Sequence, residues 1–199
     1  MPTDSTERET EELTPGAQRI LEVASELFYR RGIHAVGVDT IAAESGVTKR
    51  TLYNRFGSKD NLLRIYLETK DRRWRELVVD RLGSENGDPR ARVLVPFTVL
   101  PEWLTESDRG CSFVNAFAEL PERDHPGNRV IRAEKQWLRR FFHDRITEAG
   151  AEEGAASTLA VQLLALHEGA IVSNAIAEVP GTVRAVTEAA TALVDAALA

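Results

Sequence analysis

The stretch IAAESGVTKRTLYNRFGSKDNLL, Ile41 to Leu63, constrains this chain more than any other. Gly46 and Gly57 cut it into pieces of about two helical turns, too short to hold helix in water unless they pack on one another. The residue types suit such packing. Ala42 is small enough for two helices to approach, Gly46 supplies the positive φ of a tight turn, and Val47, Leu52 and Phe56 supply a miniature core. The spacing predicts a helix over Val38 to Ser45 and a second, capped by Thr48, running through Phe56. A capped long helix starts at once from Lys59, and the whole reads as a helix-turn-helix.

With Leu52 and Phe56 turned inward, the second short helix presents Lys49, Arg50, Thr51, Asn54 and Arg55, with Tyr53 on its flank. Cations, amides and hydroxyls on one narrow helix face match the donor and acceptor pattern of a DNA major groove. At the next helix start, Ser58 and Asn61 form a weakened capping box, and Lys59 lies beside free backbone amides that favour a phosphate.

The net charge of -6 would argue against a polyanionic partner if it were spread evenly, but it is segregated. Residues 1–13 carry -4, residues 14–75 carry +5 and residues 76–199 carry -7. A basic module on an acidic body serves DNA binding, because phosphates are neutralised locally.

Residues 1–13 are acidic and nearly devoid of apolar side chains, which predicts a disordered tail. Thr14 and Pro15 open a helix through Ile20, Leu21, Ala24, Leu27 and Phe28 that closes at Gly32. The helix from Lys59 is expected to stop near Gly83. Pro96 and Pro101 then predict a kinked or broken helix after Asp88. Further helices are expected at about Cys111–Leu120, Gly127–Ala149, Gly154–Val179 and Thr182–Leu198, without strand-like alternation. The chain is therefore read as all-α with about nine helices: the tail at 1–13, a DNA-binding unit at 14–58 and a helical unit at 59–199.

The stretch from Ile41 to Leu63 also resembles the signature of the TetR family, with small residues, turn Gly, a Leu-Tyr pair, Phe and Ser-Lys in that order. The resemblance implies a homodimer on a pseudo-palindromic operator in double-stranded DNA, commonly a repressor released by a small-molecule effector. It implies phosphate contacts at Thr48, Tyr53 and Lys59, and groove-facing positions at Lys49, Arg50, Thr51 and Asn54. Arg50 stands where many relatives carry a small residue. A bidentate contact to guanine and a plain phosphate contact are both open for it. Val36-Gly37 departs from the family's usual hydroxyl pair, so the second helix loses its hydroxyl cap.

By the same resemblance, Trp74, Phe97, Trp103, Phe113, Phe117, Trp137 and Phe141 fall mostly where family members form an effector pocket, which suggests a hydrophobic or aromatic ligand. Simple core packing explains each of them equally well. Asn115 is a candidate polar contact for the ligand or an internal cap. The last two helices carry a surface of small residues and Leu, the expected dimer interface, through Leu163, Leu164, His167, Ala170, Ile171, Asn174, Ala189 and Leu193. His167 is open to pairing across the two-fold axis or to a satisfied core position.

The usual enzyme signatures for phosphate loops, dinucleotides, nucleophile elbows and zinc are absent, and no cofactor is expected. The one Glu-x-x-His, Glu122 to His125, sits in a Pro-flanked turn, which argues against a metal site. Cys111 is the sole cysteine, and the longest uncharged run, Gly154 to His167, is too short to cross a bilayer. A cytoplasmic protein without a membrane partner is expected. The alternative function is an architectural or partner-controlled DNA-binding protein that takes no effector.

Overall fold

The computed structural model describes residues 13–85 and 87–198. Apart from Leu13, the acidic tail lies outside them. Among the described residues there are nine helices and no strand: α1 Pro15–Arg31, α2 Val38–Ser45, α3 Lys49–Phe56, α4 Lys59–Ser84, α5 Pro89–Thr105, α6 Ser112–Glu119, α7 Pro126–Glu148, α8 Glu153–Ala175 and α9 Thr182–Ala197. Local chemistry sets the starts. Thr14, Thr48, Ser58 and Asp88 each accept a hydrogen bond from a first-turn amide of the helix they open. Nδ1 of His125 does the same for Gly127 at the head of α7, with Pro126 at the first helical position.

Two cores organise the packing. The first gathers Ile20, Ala24 and Phe28 of α1, Ile41 of α2, and Leu52 and Phe56 of α3. It continues without a break into Leu62, Leu63, Tyr66 and Leu67 of α4, Phe113 and Ala116 of α6, and Ile131 of α7. The apolar core of the helix-turn-helix therefore does not close at Ser58. It takes the upper part of the following unit as its floor. The second core joins α5, α7, α8 and α9 through Val93, Phe97, Leu138, Phe142, Leu159, Leu163 and Val194. Beside it, Trp74 and Val78 of α4 pack on Val95 and Val99 of α5. α8 packs on both α7 and α9, and it is apolar on its outward side as well as on its buried one.

Several expectations are corrected. α5 is not broken at Pro96 and Pro101 but continues from Pro89 to Thr105, with Val93, Val95, Pro96, Phe97, Val99 and Leu100 buried along it and Pro101 exposed. α8 ends four residues earlier than its apolar pattern suggests, because Glu178 adopts a φ of 49° just before Pro180. Leu163, His167, Ala170 and Ile171 are not on the outer face of α8. They are buried within the protomer, since α8 turns that stripe toward α5, α7 and α9.

Candidate nucleic-acid interface

Every turn of the α2–α3 unit has a visible cause. Gly46 adopts φ 71°, and its amide closes α2 on the Ala42 and Ala43 carbonyls. Thr48 Oγ1 accepts from Thr51 N at 3.1 Å and lies 3.0 Å from Thr51 Oγ1, so the two hydroxyls form one small network at the tip of α3. Leu52 and Phe56 are buried, which leaves Arg50, Asn54 and Arg55 exposed and Tyr53 at 45% exposure beside them. Gly37 caps α2 with no side-chain bond, as the missing hydroxyl implies.

The cations on this face are not equivalent. Lys49 Nζ is 2.6 Å from Asp39 Oδ1 of α2, and Arg31 pairs with Glu44 at 2.9 Å. Among the described residues, Arg50 and Arg55 are in no ion pair. Lys59 is turned inward: its ammonium donates to the Ile33 carbonyl at 2.6 Å, and partial burial lowers its pKa. One of its three protons thus fastens the α1–α2 loop. Neither the Asp39 partner nor the inward Lys59 is written in spacing along the chain, because both depend on how α1, α2 and α4 dock.

A second set of contacts holds the helix-turn-helix from behind. Glu119, the last residue of α6, accepts from the amides of Ile33 and His34 at 3.0 and 2.8 Å. Gly32 permits this approach: its φ is +88°, and a Cβ there would stand 3.1 Å from the Glu119 carboxylate. Nearby, the Tyr29 hydroxyl donates to Gly110 O and accepts from Arg109 N, Arg30 pairs with Asp108 at 2.5 Å, and Arg109 donates to Arg30 O. The α5–α6 loop and α6 therefore grip the end of α1. Glu119 lies one helical turn after Asn115 on the same face of α6, and its partners are backbone amides more than eighty residues away.

The aromatic residues divide into two groups. Trp74, Phe97, Trp103, Trp137, Phe141 and Phe142 come together between α4, α5 and α7, and His167 of α8 joins them. Phe113 instead belongs to the first core, Phe117 is 53% exposed, and Asn115 donates its amide to the Arg109 carbonyl. These three are apart from the group because α6 packs on α7 beside the first core, with Phe113 inside that core and Asn115 and Phe117 exposed. Of the expected interface residues, Ala189 is exposed, and Leu164, Asn174 and Leu193 are half-buried. Ala189 and Leu193 border an apolar groove of about 800 Å³ between α8 and α9, with Ala165, Leu166 and Gly169 opposite them.

Comparison with known proteins agrees with this geometry. Residues 20–64 match the model of bacterial regulatory proteins of the tetR family. The transcriptional activator FasR of Mycolicibacterium smegmatis is 45% identical over 130 residues, a match spanning 65% of this chain and 47% of that protein. The chain thus covers under half of FasR's length. The transcriptional repressor DhaR of Mycobacterium sp. strain GP1 is 28% identical over 165 residues, covering 79% of this chain and 81% of the repressor. The structure of SCO4454, a TetR-family transcriptional regulator from Streptomyces coelicolor, superposes with a TM-score of 0.80 at 30% identity, covering 93% of this chain and 89% of that one. With the helix-turn-helix, the nine-helix order and a like-sized solved relative in agreement, this chain is a member of the TetR family of DNA-binding transcriptional regulators.

Proposed function

We propose that two copies of this chain bind a pseudo-palindromic operator through their α3 helices and repress transcription until a small hydrophobic or aromatic effector releases them. The observation that carries the DNA half is the composition of the α3 face. Arg50, Tyr53, Asn54 and Arg55 are exposed on a helix whose other face is locked by Leu52 and Phe56. Thr48 and Thr51 supply hydroxyls at its tip for phosphate, and Lys49 can trade Asp39 for DNA. Arg50, with no carboxylate partner, is the base-reading candidate.

The dimer is assigned to the outward faces of α8 and α9, where Ala165, Gly169, Ala189 and Ala192 leave an apolar groove open for a second copy. Leu164, Asn174 and Leu193 flank it, whereas Leu163, His167, Ala170 and Ile171 are committed to the protomer's own core. Repression is favoured by the chain-length match to DhaR, a named repressor. FasR, a named activator, matches over less of its length. The effector site is placed at the aromatic group between α4, α5, α7 and α8, which supports an aromatic ligand.

Selection of bound sequences from random duplex DNA, at several stated salt concentrations, tests the reading. An enriched inverted repeat is expected, with half-sites about one helical turn apart or somewhat more. Salt-sensitive binding with no enriched sequence would instead support an architectural DNA-binding protein without an effector.

A further inference from the structure

The centre of the second unit contains polar atoms that nothing in the protein satisfies. Trp74 Nε1 and both ring nitrogens of His167 are buried without a hydrogen-bond partner. The two side chains are adjacent, with ring centroids 5.3 Å apart. Phe97 closes the other side of His167 at 5.7 Å, and Trp103 stands edge-on to Trp74 at 5.3 Å. Desolvation lowers the pKa of His167, so its ring is neutral near pH 7 and carries one N–H and one bare nitrogen. The nearest carboxylate, Glu168, is 3.7 Å from Nδ1, beyond hydrogen-bond reach, and is bound instead by Lys135 at 2.7 Å.

Leaving a buried donor unpaired costs about 1–3 kcal/mol, so a fold seldom carries two side by side without a use for them. A third donor stands at the edge of the group. Lys70, one helical turn before Trp74, has its ammonium 5.7 Å from the Trp103 ring centroid and is in no ion pair among the described residues. α5 is the wall that lacks helical bonds beside this group. Pro96 and Pro101 offer no amide to the carbonyls of Arg92 and Phe97, so two of its helical bonds are missing where Phe97 and Trp103 project.

Resting on the effector reading above, we infer that the ligand is a planar aromatic compound bearing a carbonyl or carboxyl oxygen, its ring set among Trp74, Phe97, Trp103 and His167. The oxygen accepts from the Trp74 indole and the His167 N–H. This gives His167, open in the sequence to pairing across the two-fold axis or to a satisfied core position, a place in the effector site. It also makes recognition a matter of supplying an acceptor rather than of apolar fit alone.

Three small probes at millimolar concentration separate the possibilities: acetophenone, a neutral acceptor; benzoate, an anionic one; and ethylbenzene, which has none. The readout is the indole N–H signal of Trp74 in full-length protein with ¹⁵N-labelled tryptophan, assigned through Trp74→Phe. Acetophenone or benzoate is expected to move that signal downfield. His167→Phe should weaken whichever binds at least tenfold and leave ethylbenzene unchanged, and His167→Gln serves if the first variant does not fold. A response to benzoate that Lys70→Met removes identifies the acid, and one to acetophenone alone identifies the neutral carbonyl compound. Equal binding of ethylbenzene, or no movement of the Trp74 signal with any probe, overturns the inference. A single buried water on these atoms predicts the second result. The effector reading is tested separately, by whether any compound releases the protein from its selected operator. Release by a compound insensitive to both Trp74→Phe and His167→Phe would preserve that reading and refute this one.

Discussion

The two cores of this protein are built on different principles. The first, under the helix-turn-helix, is apolar throughout, and polar groups at its margin are matched: Glu119 to two amides, Tyr29 to Gly110 and Arg109, Lys59 to Ile33. The second encloses Glu134, His167 and the indole of Trp74, with Lys135 held between Glu134 at 3.0 Å and Glu168 at 2.7 Å. The first region leaves Asn128 Oδ1 unmatched at its edge, whereas the second leaves Trp74 Nε1 and both nitrogens of His167 unmatched at its centre. A DNA reader must present its helix in one pose, while on the proposed effector reading the second core must gain something when its ligand arrives.

The sharpest way to break the contrast is to remove apolar volume from the first core. Phe56→Ala should lower unfolding free energy by about 3–5 kcal/mol in urea titrations and abolish operator binding, because α3 loses its anchor. Next in size is a pH effect confined to the second core. Burial raises the Glu134 carboxyl to about 7, against the partial relief from Lys135. Between its ordinary value near 4.5 and about 7, the folded chain holds a proton there that the unfolded chain has released. Stability from this group is therefore fully present below that window and lost as pH rises through it, by at most about 1.4 kcal/mol per pH unit. Glu134→Gln should flatten that slope relative to the parent in melts from pH 5 to 8. A parallel pair of curves would place the ionised carboxylate comfortably in the fold.

Glu119→Ala removes an acceptor from two amides and should cost about 1.5–3 kcal/mol, with faster hydrogen exchange confined to Ile33 and His34. The smallest effect has the opposite sign. His167→Phe should stabilise the ligand-free protein by about 1–2 kcal/mol, since it deletes both orphaned nitrogens from an aromatic site of similar shape. A loss of stability there would mean that the imidazole is already satisfied.

The helix-turn-helix was legible because its determinants are local. Gly46, Thr48, Leu52, Phe56 and Ser58 act within a few residues of themselves, and periodicity assigns their faces. The face of α8 was not, because its stripe and its opposite side are both apolar, and periodicity alone cannot choose which one meets the protomer's own core. Leu163, His167, Ala170 and Ile171 went inward while Ala165 and Gly169 stayed out. Phe117 and Phe113 illustrate the same limit on a short helix, where four residues of separation placed one in solvent and the other in the core under α1. The grip of Glu119 on Ile33 and His34 links positions 85 and 86 residues apart, a distance over which no pattern in the chain carries information.

That grip also narrows where the movement proposed between the two cores is taken up. α4 is the long member joining both cores, about 39 Å from end to end at 1.5 Å per residue over its 26 residues. Its buried side chains fall in two clusters, Leu62 to Leu67 and Trp74 to Val78, and none of the six residues between them is buried. Glu119, Tyr29 and Lys59 tie α6, α1 and the start of α4 to one another, while Asn128 of α7 holds the end of α6 through the Leu120 carbonyl. On the proposed effector reading, the joint is assigned to α4 between Glu68 and Arg73, where no residue is buried, and a few degrees of rotation there would swing the DNA-reading end as a gauge arm. In the dimer proposed above, two such arms form a caliper, and on that proposal its opening is set by what fills the lower core and decides whether its tips match the pitch of DNA.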